Sequence, residues 1–166
     1  MGAHAPHVLL LSCYELGQQP FALAKVHGFL RAADVVASSV DLAVDAWPAD
    51  AVRAATLVAI ATPMHTALAL GVHAARRVRA ENPSARIGMF GLYASLNAEH
   101  LLREGIVDDV LGPDAGPELV AQSLGSPWPR QDLRRPLSVL PHRRDLEPLS
   151  RYVRLHDGDR RKVVGT

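Results

Sequence analysis

Short apolar runs alternate along the first 125 residues with longer stretches in which apolar residues recur at helical spacing. The continuous apolar runs His7–Ser12 and Thr56–Ala61 predict strands that are buried on both faces of a sheet. Three further runs, Val35–Leu42, Ala85–Phe90 and Ile106–Leu111, predict strands of more mixed polarity. Because helical patterns separate these runs, the pattern predicts βαβ units and a mainly parallel five-stranded sheet.

Helical spacing and end signals predict five helices between and after the strands. They are Pro20–Ala33, Asp50–Ala55, Thr66–Ala80, Asn97–Glu104 and Pro117–Leu124. Asn97 is the residue type that caps a helix N-terminus through its side chain, and Gly105 suits the position after a helix end. The combined pattern predicts a doubly wound, Rossmann-like α/β fold with the flavodoxin-like strand order 2-1-3-4-5.

The helical and strand periodicity ends after Gly125, which divides the chain into a predicted domain at 1–125 and a proline- and arginine-rich linker at 126–166. The first part carries 8 basic and 12 acidic side chains (net −4), and the second carries 10 and 5 (net +5). The prolines predict an extended tail, followed by a hairpin of Arg151–Leu155 and Lys162–Val164 around Asp157-Gly158. The tail lacks interleaved aromatic residues, so a solvated linker is favoured over a nucleic-acid-binding segment.

The N-terminus has no basic leader, and its apolar run extends only from Val8 to Leu11. That pattern argues against a signal peptide and against a membrane span, and we therefore expect a cytoplasmic protein. Cys13 is the single cysteine, which excludes an internal disulfide and a cysteine metal cluster.

Ligands of open parallel sheets bind outside the carboxyl ends of the strands, where the strand order reverses. In this sequence the loops predicted at that edge are residues 13–19, 62–66 and 91–97, with residues 112–116 on the far side. They contain small and hydroxyl residues, two tyrosines and a histidine, which could receive a large flat ligand through backbone amides and stacking.

Several common sites of this fold class are missing from the sequence. No GxGxxG follows the first strand, no GxxxxGK[ST] is present, and no serine lies in a GxSxG elbow. A phosphoacceptor receiver domain needs acidic residues at the ends of strands one and three, but the third strand here ends in Thr62-Pro63. It also needs a lysine near strand five, and residues 104–125 contain none.

Individual polar residues leave alternatives open. His65 could be an axial metal ligand, a general base or a ligand contact, but a structural residue in the first turn of a helix is the favoured interpretation. Cys13 is interpreted as packing rather than as a nucleophile. Tyr14 and Tyr93 could stack on a ligand or on each other, and Glu15 could bond amides of its own loop. A hydrolase using His65 with Glu15 lacks a nucleophile at a recognisable spacing.

Among the remaining histidines, His27 and His73 lie in predicted helices and are interpreted as surface or boundary residues. His142 lies in the irregular tail and carries no functional signal by itself.

Three segments carry a resemblance to a known family: HVLLLSCYELGQQPFALA at 7–24, the stretch 61–102 with PMHTA, FGLYA and LNA, and the tail DLEPLSRYVRLHDGDRRKVVGT. Together they resemble the N-terminal cobalamin-binding-type domain of a radical SAM protein group named for a CUAEP or CCAEP sequence at its tail. The resemblance covers nearly the whole chain, and its most specific segments are the three loops described above.

The resemblance implies a non-catalytic domain that binds cobalamin or a related ligand for a radical SAM domain. The implied site residues are Tyr14, Glu15, Gly17, Thr62, Met64, His65, Thr66, Gly91, Tyr93, Asn97 and Gly112. In that family a barrel follows, holding a [4Fe–4S] cluster and S-adenosylmethionine, and this sequence would stop at Thr166 just before it. The implied protein is thus a fragment, and with one cysteine it cannot hold the cluster.

The chain also departs from the wider cobalamin pattern. The DxHxxG that supplies a histidine to cobalt is replaced by residues 12–17, SCYELG, and the usual glycine pair in the last loop is replaced by Gly112-Pro113-Asp114. Two interpretations therefore stay open: a cobalamin-binding module, or a module that has kept the fold, lost the ligand and positions a catalytic partner. The second predicts that Met64, Tyr93 and Leu96 fill the cavity at the strand ends.

Overall fold

The computed structural model describes residues 7–112, 115–125, 139–152, 154–157 and 160–163, the last two ranges by their backbone only. The strands of the main sheet are β1 (Val8–Ser12), β2 (Ala37–Asp41), β3 (Leu57–Ala61), β4 (Arg86–Phe90) and β5 (Asp109–Val110). The α-helices of the described part are α1 (Phe21–Ala32), α2 (Ala49–Ala54), α3 (His65–Glu81), α4 (Leu92–Leu96), α5 (Ala98–Arg103) and α6 (Gly116–Leu124).

The sheet has the strand order β2-β1-β3-β4-β5, and each neighbouring pair is parallel. This confirms the predicted doubly wound, flavodoxin-like α/β fold. The register places Ser12 opposite both Asp41 and Ala61, and Ala61 opposite Phe90. The carboxyl ends of β1 to β4 are therefore level with one another along one edge of the sheet.

Helices cover both faces of the sheet because alternate residues of each buried strand point to opposite sides. Val8 and Leu10 of β1 pack with α1 and α6 on one face. Leu9 and Leu11 pack with α2, α3 and α5 on the other. All five residues of β1 and of β3 are buried, whereas β2 is half-buried, as expected for two central strands and an edge strand.

Two predicted elements differ from the structure. The segment 91–97, predicted as a loop, contains the short helix α4. The strand predicted at Ile106–Leu111 has only two residues in the ladder. At this point the Asp108 carboxylate accepts hydrogen bonds from the Ile87 N–H at 2.7 Å and from the Arg79 side chain at 2.6 Å. The Ile87 N–H of β4 is therefore bonded to a side chain, where a longer β5 would have offered a backbone carbonyl.

Residues 139–152, here called the strap, return from the tail and lie across α1. The His142 N–H donates to the Ala24 carbonyl at 2.8 Å, and Leu146 is buried in the core beside α1. At its far end, Arg151 pairs with Asp45 in the loop after β2. The strap therefore crosses one helix and ends at the carboxyl edge of the sheet. The segment 126–138 of the predicted linker lies outside the described residues, and the division at residue 125 stays a prediction.

Beyond the strap, β6 (Arg154–Asp157) pairs antiparallel with β7 (Arg160–Val163). An antiparallel hairpin was predicted here, but its strand bounds were wrong, since Arg151 lies in a 3-10 helix at Leu149–Arg151 and the first strand begins at Arg154. Asp157 belongs to that strand rather than to the turn, and Gly158 lies outside the described residues. Over the described ranges, no helix combines the length and the apolar character needed to cross a lipid bilayer.

Candidate functional site

The carboxyl edge of the sheet brings together the three loops named from the sequence. Tyr14 follows β1, His65 opens α3 directly after the β3 loop, and Tyr93 lies in α4 directly after β4. Because the ends of these strands are level, the three loops begin along one edge of the sheet. The convergence is a consequence of parallel strands and connects residues that are about eighty positions apart.

The β1 loop makes a tight turn with unusual backbone angles. Leu16 and Gly17 have φ values of 55° and 72°, and the Gln18 N–H bonds the Glu15 carbonyl at 2.9 Å. Glycine adopts this left-handed region easily, whereas leucine does so at a cost in conformational energy. The Leu16 side chain is nevertheless 61% exposed at the rim. A strained residue that presents an apolar side chain to solvent is a feature found at binding sites.

The Glu15 side chain hydrogen-bonds to the start of α1. Its Oε1 accepts the Phe21 N–H at 3.1 Å, which satisfies one of the free donors of the first helical turn. Burial raises the pKa of the carboxyl, and bonds from the Phe21 and Ala22 amides oppose that effect. The expectation that Glu15 bonds backbone amides is met at the helix, and its other oxygen, Oε2, is buried without a hydrogen-bond partner among the described residues.

Thr62 and Gly91 hold the ends of β3 and β4 together. The Thr62 side chain is fully buried and donates to the Phe90 carbonyl at 2.9 Å, and its own carbonyl accepts the Tyr93 N–H. Gly91 has a φ of 106°, and a Cβ there would lie 2.9 Å from the Thr62 oxygen. Both residues lie at the carboxyl edge, and the contacts described for them join neighbouring strands of the fold.

His65, Tyr93 and Asn97 form a small group on top of this junction. The His65 and Tyr93 rings meet edge to face with centroids 6.2 Å apart. Asn97 does not cap α5 with its side chain, which corrects the sequence prediction. Instead its Nδ2 donates to the Tyr93 carbonyl at 2.8 Å, because the unpredicted helix α4 ends beside it.

The other predicted site residues are spread along the same edge. Met64 is half-buried at the N-cap position of α3, and Thr66 is exposed in its first turn. The Gly112 N–H donates to the Glu118 carboxylate at 3.2 Å. Residues 113–114 of that loop lie outside the described residues.

A cleft opens at the rim between the β1 loop, α1 and α6. Its volume is ≈ 250 Å³. It is mainly apolar, and its lining includes Glu15, Phe21, Val26, Phe90 and Leu92. Met64, Tyr93 and Leu96 do not line it, and Leu96 is 69% exposed. The cavity filling expected for a ligand-free module is therefore absent from this cleft.

A groove lies on the other side of the β1 loop, between α3 and the loop after β2. It consists of adjoining hollows of ≈ 540 and ≈ 240 Å³ that share Cys13, Leu42 and Leu70. Tyr14 and Gly17 line the larger hollow together with Tyr152 of the strap. Sequence reasoning missed Phe21, Leu70 and Tyr152, since their helical or tail positions did not mark them as part of the edge.

A buried acid lies beneath this groove. Asp41 is 3% exposed, and its Oδ1 accepts the Ala43 N–H at 3.1 Å. Burial raises the pKa of Asp41, while the Ala43 amide bond and the neighbouring hydroxyls of Tyr152 and Ser12 oppose the rise. The pKa of the Tyr152 hydroxyl is raised by burial and then by the nearby Asp41 carboxylate. Tyr152 Oη and Asp41 Oδ2 are both buried without a hydrogen-bond partner among the described residues, and the ion pair of Arg151 with Asp45 attaches the end of the strap.

Cys13 is 6% exposed, and burial together with Asp41 raises the pKa of its thiol to about 12. At pH 8 only about one thiol in ten thousand is then ionised, so the reactive thiolate is scarce. We expect the folded protein to resist iodoacetamide at pH 8 and to be alkylated rapidly in guanidinium chloride, as followed by mass spectrometry. Fast alkylation without denaturant would contradict the packing role of Cys13.

No described histidine, cysteine, aspartate or glutamate belongs to a group of three or more arranged to hold a metal ion. The described residues of the rim offer apolar side chains, the edges of aromatic rings and backbone amides.

These features define the class of protein: a doubly wound, flavodoxin-like α/β domain with an open, largely apolar rim at the carboxyl edge of its sheet. No family model matches the chain, and no curated protein matches it.

Two solved structures show similarity. A response regulator from Burkholderia pseudomallei, described with a phosphorylated aspartic acid, calcium ion and citrate, has 18% identity and a TM-score of 0.49 over 70% of this chain and 65% of its own. An adenylate cyclase from Rhodopirellula baltica has 14% identity and a TM-score of 0.42 over 80% and 98%. The chain thus spans less than two thirds of the response regulator.

Proposed function

We propose that this chain is a cobalamin-type binding module of a radical SAM protein, which binds cobalamin or a related flat ligand at the carboxyl edge of its sheet. The observation that supports it is the convergence of the three loops around an open apolar cleft. The loops are also the segments that carry the resemblance to the radical SAM group.

The described residues fit a large, neutral ligand held by apolar and backbone contacts. Ligand pockets that enclose a drug-sized molecule usually have about 300–1,000 Å³. The cleft of ≈ 250 Å³ suits one part of a larger molecule, whose remainder would lie on the rim. Leu16, Leu92 and Leu96 are 61%, 55% and 69% exposed there and provide an apolar surface for that remainder.

Cobalamin bound at the cleft would be held by Leu92 and by the α1 side around Phe21, while Tyr14 and Gly17 line the groove on the other side of the β1 loop. It would supply an organocobalt centre to an associated catalytic domain. The β1 loop offers no histidine to it, and the histidine at the rim is His65. Two polar residues of the rim have structural contacts: Glu15 accepts an N–H of the first turn of α1, and Thr62 bonds β3 to β4. The module therefore binds rather than reacts.

The test is a titration of the full chain with hydroxocobalamin, followed by absorbance spectroscopy and calorimetry. We expect a red-brown complex with an altered cobalamin spectrum and a dissociation constant in the micromolar range or below. Leu92→Asp should weaken binding about tenfold or more, because a charge would be desolvated in the cleft. An unchanged spectrum at saturating hydroxocobalamin would refute the proposal.

The matched control is Leu102→Asp. Leu102 lies in α5, is 46% exposed, and does not line the cleft. The substitution adds the same charge to a leucine of similar exposure, so it should leave binding unchanged. Equal losses in both variants would assign the effect to general electrostatics instead of the cleft.

A further inference from the structure

His27 of α1 is a buried histidine without hydrogen-bond partners. It is 6% exposed, and both ring nitrogens are buried and unpaired among the described residues. This corrects the interpretation of His27 as a surface or boundary residue. A fully buried imidazole is stable only while it is neutral, because a protonated ring loses its hydration there.

The strap places two titratable side chains against this ring. The His142 ring stacks on the His27 ring with centroids 5.8 Å apart and an interplanar angle of 28°. The Asp145 carboxylate lies 3.9 Å from His27 Nδ1 and 3.1 Å from His142 Nε2. His142, expected to carry no signal in the tail, is therefore part of a defined cluster.

The strap lies directly on the helix beside this cluster. A Cβ at position 28 would collide with the Leu140 carbonyl oxygen, so Gly28 is what allows the close approach. The bond from the His142 N–H to the Ala24 carbonyl adds a specific attachment. The burial of His27 thus depends on the strap staying in place, and lifting the strap would return the imidazole to water.

We propose that His27, His142 and Asp145 form a pH-sensitive clasp, which holds the strap on α1 at neutral pH and loosens it at mildly acidic pH. Because the strap ends at Arg151 and Tyr152 beside the loop after β2, loosening also weakens the hold of its far end on the carboxyl edge. The clasp does not depend on the identity of the ligand at that edge.

The direction of the effect follows from the groups that face His27. Burial, the largest cause, lowers the pKa of His27, and His142 and Arg31 act in the same direction. The Asp145 carboxylate opposes this lowering of the pKa. Asp34 is a further charged residue near the ring, since Asp34, His27 and Asp145 line one surface hollow beside α1. The clasped form therefore binds a proton less readily than the open form, where His27 regains its ordinary pKa of about 6.5. The free energy that favours the clasped form is therefore largest at pH values above the ordinary histidine pKa, and it decreases as the pH falls below that pKa.

The experiment measures the protection of the His142 amide against hydrogen exchange by NMR in the full chain, corrected for intrinsic exchange. From pH 7.5 to 5.5, uptake of one proton in the open form is expected to lower the protection factor up to about tenfold. His27→Leu fills the buried site without a titratable group, and should abolish this pH dependence while leaving the amide protected. The non-titrating variant His27→Gln serves if His27→Leu fails to fold.

His100→Gln, which removes an exposed histidine of α5, is the control and should retain the full pH dependence. Equal protection at both pH values in the native chain would overturn the clasp. So would an unchanged pH dependence in the His27 variant, which would assign the proton to another group.

Discussion

Leu10→Ala is expected to lower the free energy of unfolding by about 4 kcal/mol, measured by urea denaturation followed by circular dichroism. Leu10 lies in the central strand β1 and is fully buried. Its side chain packs against α1 and α6, so truncation removes buried methyl groups and leaves a cavity between sheet and helices.

Leu16→Ala is the matched control for this truncation. Leu16 follows the same strand by a few residues, but its side chain is 61% exposed. The same change of atoms there should alter the free energy of unfolding by less than about 0.5 kcal/mol. Similar losses at both positions would mean that β1 is not a central strand of the folded protein.

Asn82→Ala is expected to cost about 3 kcal/mol of unfolding free energy, an effect well above that of an average substitution. The Asn82 side chain is 7% exposed at the end of α3. Its Nδ2 donates to the carbonyls of Val52 and Ala55 at 2.8 and 2.9 Å. Its Oδ1 accepts the Ala85 N–H at 3.2 Å. Truncation removes all of these side-chain bonds and leaves the Val52 carbonyl and the Ala85 N–H with one backbone bond each. Thermal and urea unfolding would both report the loss.

The comparison for Asn82 is Asn97→Ala. Asn97 is half-buried, and among the described residues its side chain makes one hydrogen bond, from Nδ2 to the Tyr93 carbonyl. Its truncation should cost about 1 kcal/mol, in line with a single bond near solvent. A loss at Asn82 no larger than that at Asn97 would show that the link between α2, α3 and β4 contributes little to stability.

The edge of the sheet at which the three loops meet was predictable from the sequence, whereas the contacts of the residues at that edge were not. Tyr14, His65 and Tyr93 are identified from the sequence because each follows a predicted strand, and parallel strands end at one edge. The roles of Thr62 and Glu15 are not readable from their positions, since each bonds backbone groups elsewhere in the chain. Phe21 and Leu92 line the cleft without any motif, because only the tertiary structure brings the start of α1 close to the end of β4.

The sequence of the tail predicts even less of its tertiary contacts. Its prolines predict an extended linker after Gly125, but nothing in them predicts that residues 139–152 lie across α1. Gly28 is an unremarkable helix residue until the Leu140 carbonyl is seen against it. His27 likewise belongs to an ordinary helical pattern, and its burial depends on residues more than a hundred positions later.

By itself, the sequence determined the number and order of the strands, their parallel arrangement and the edge at which their loops meet. Apolar periodicity and the rules of chain connection are local or topological, so they are written along the chain. The tertiary structure alone decided which polar groups of that edge are already bonded, where the cleft opens and how the strap covers α1. These depend on contacts between distant segments, and local patterns do not encode such contacts.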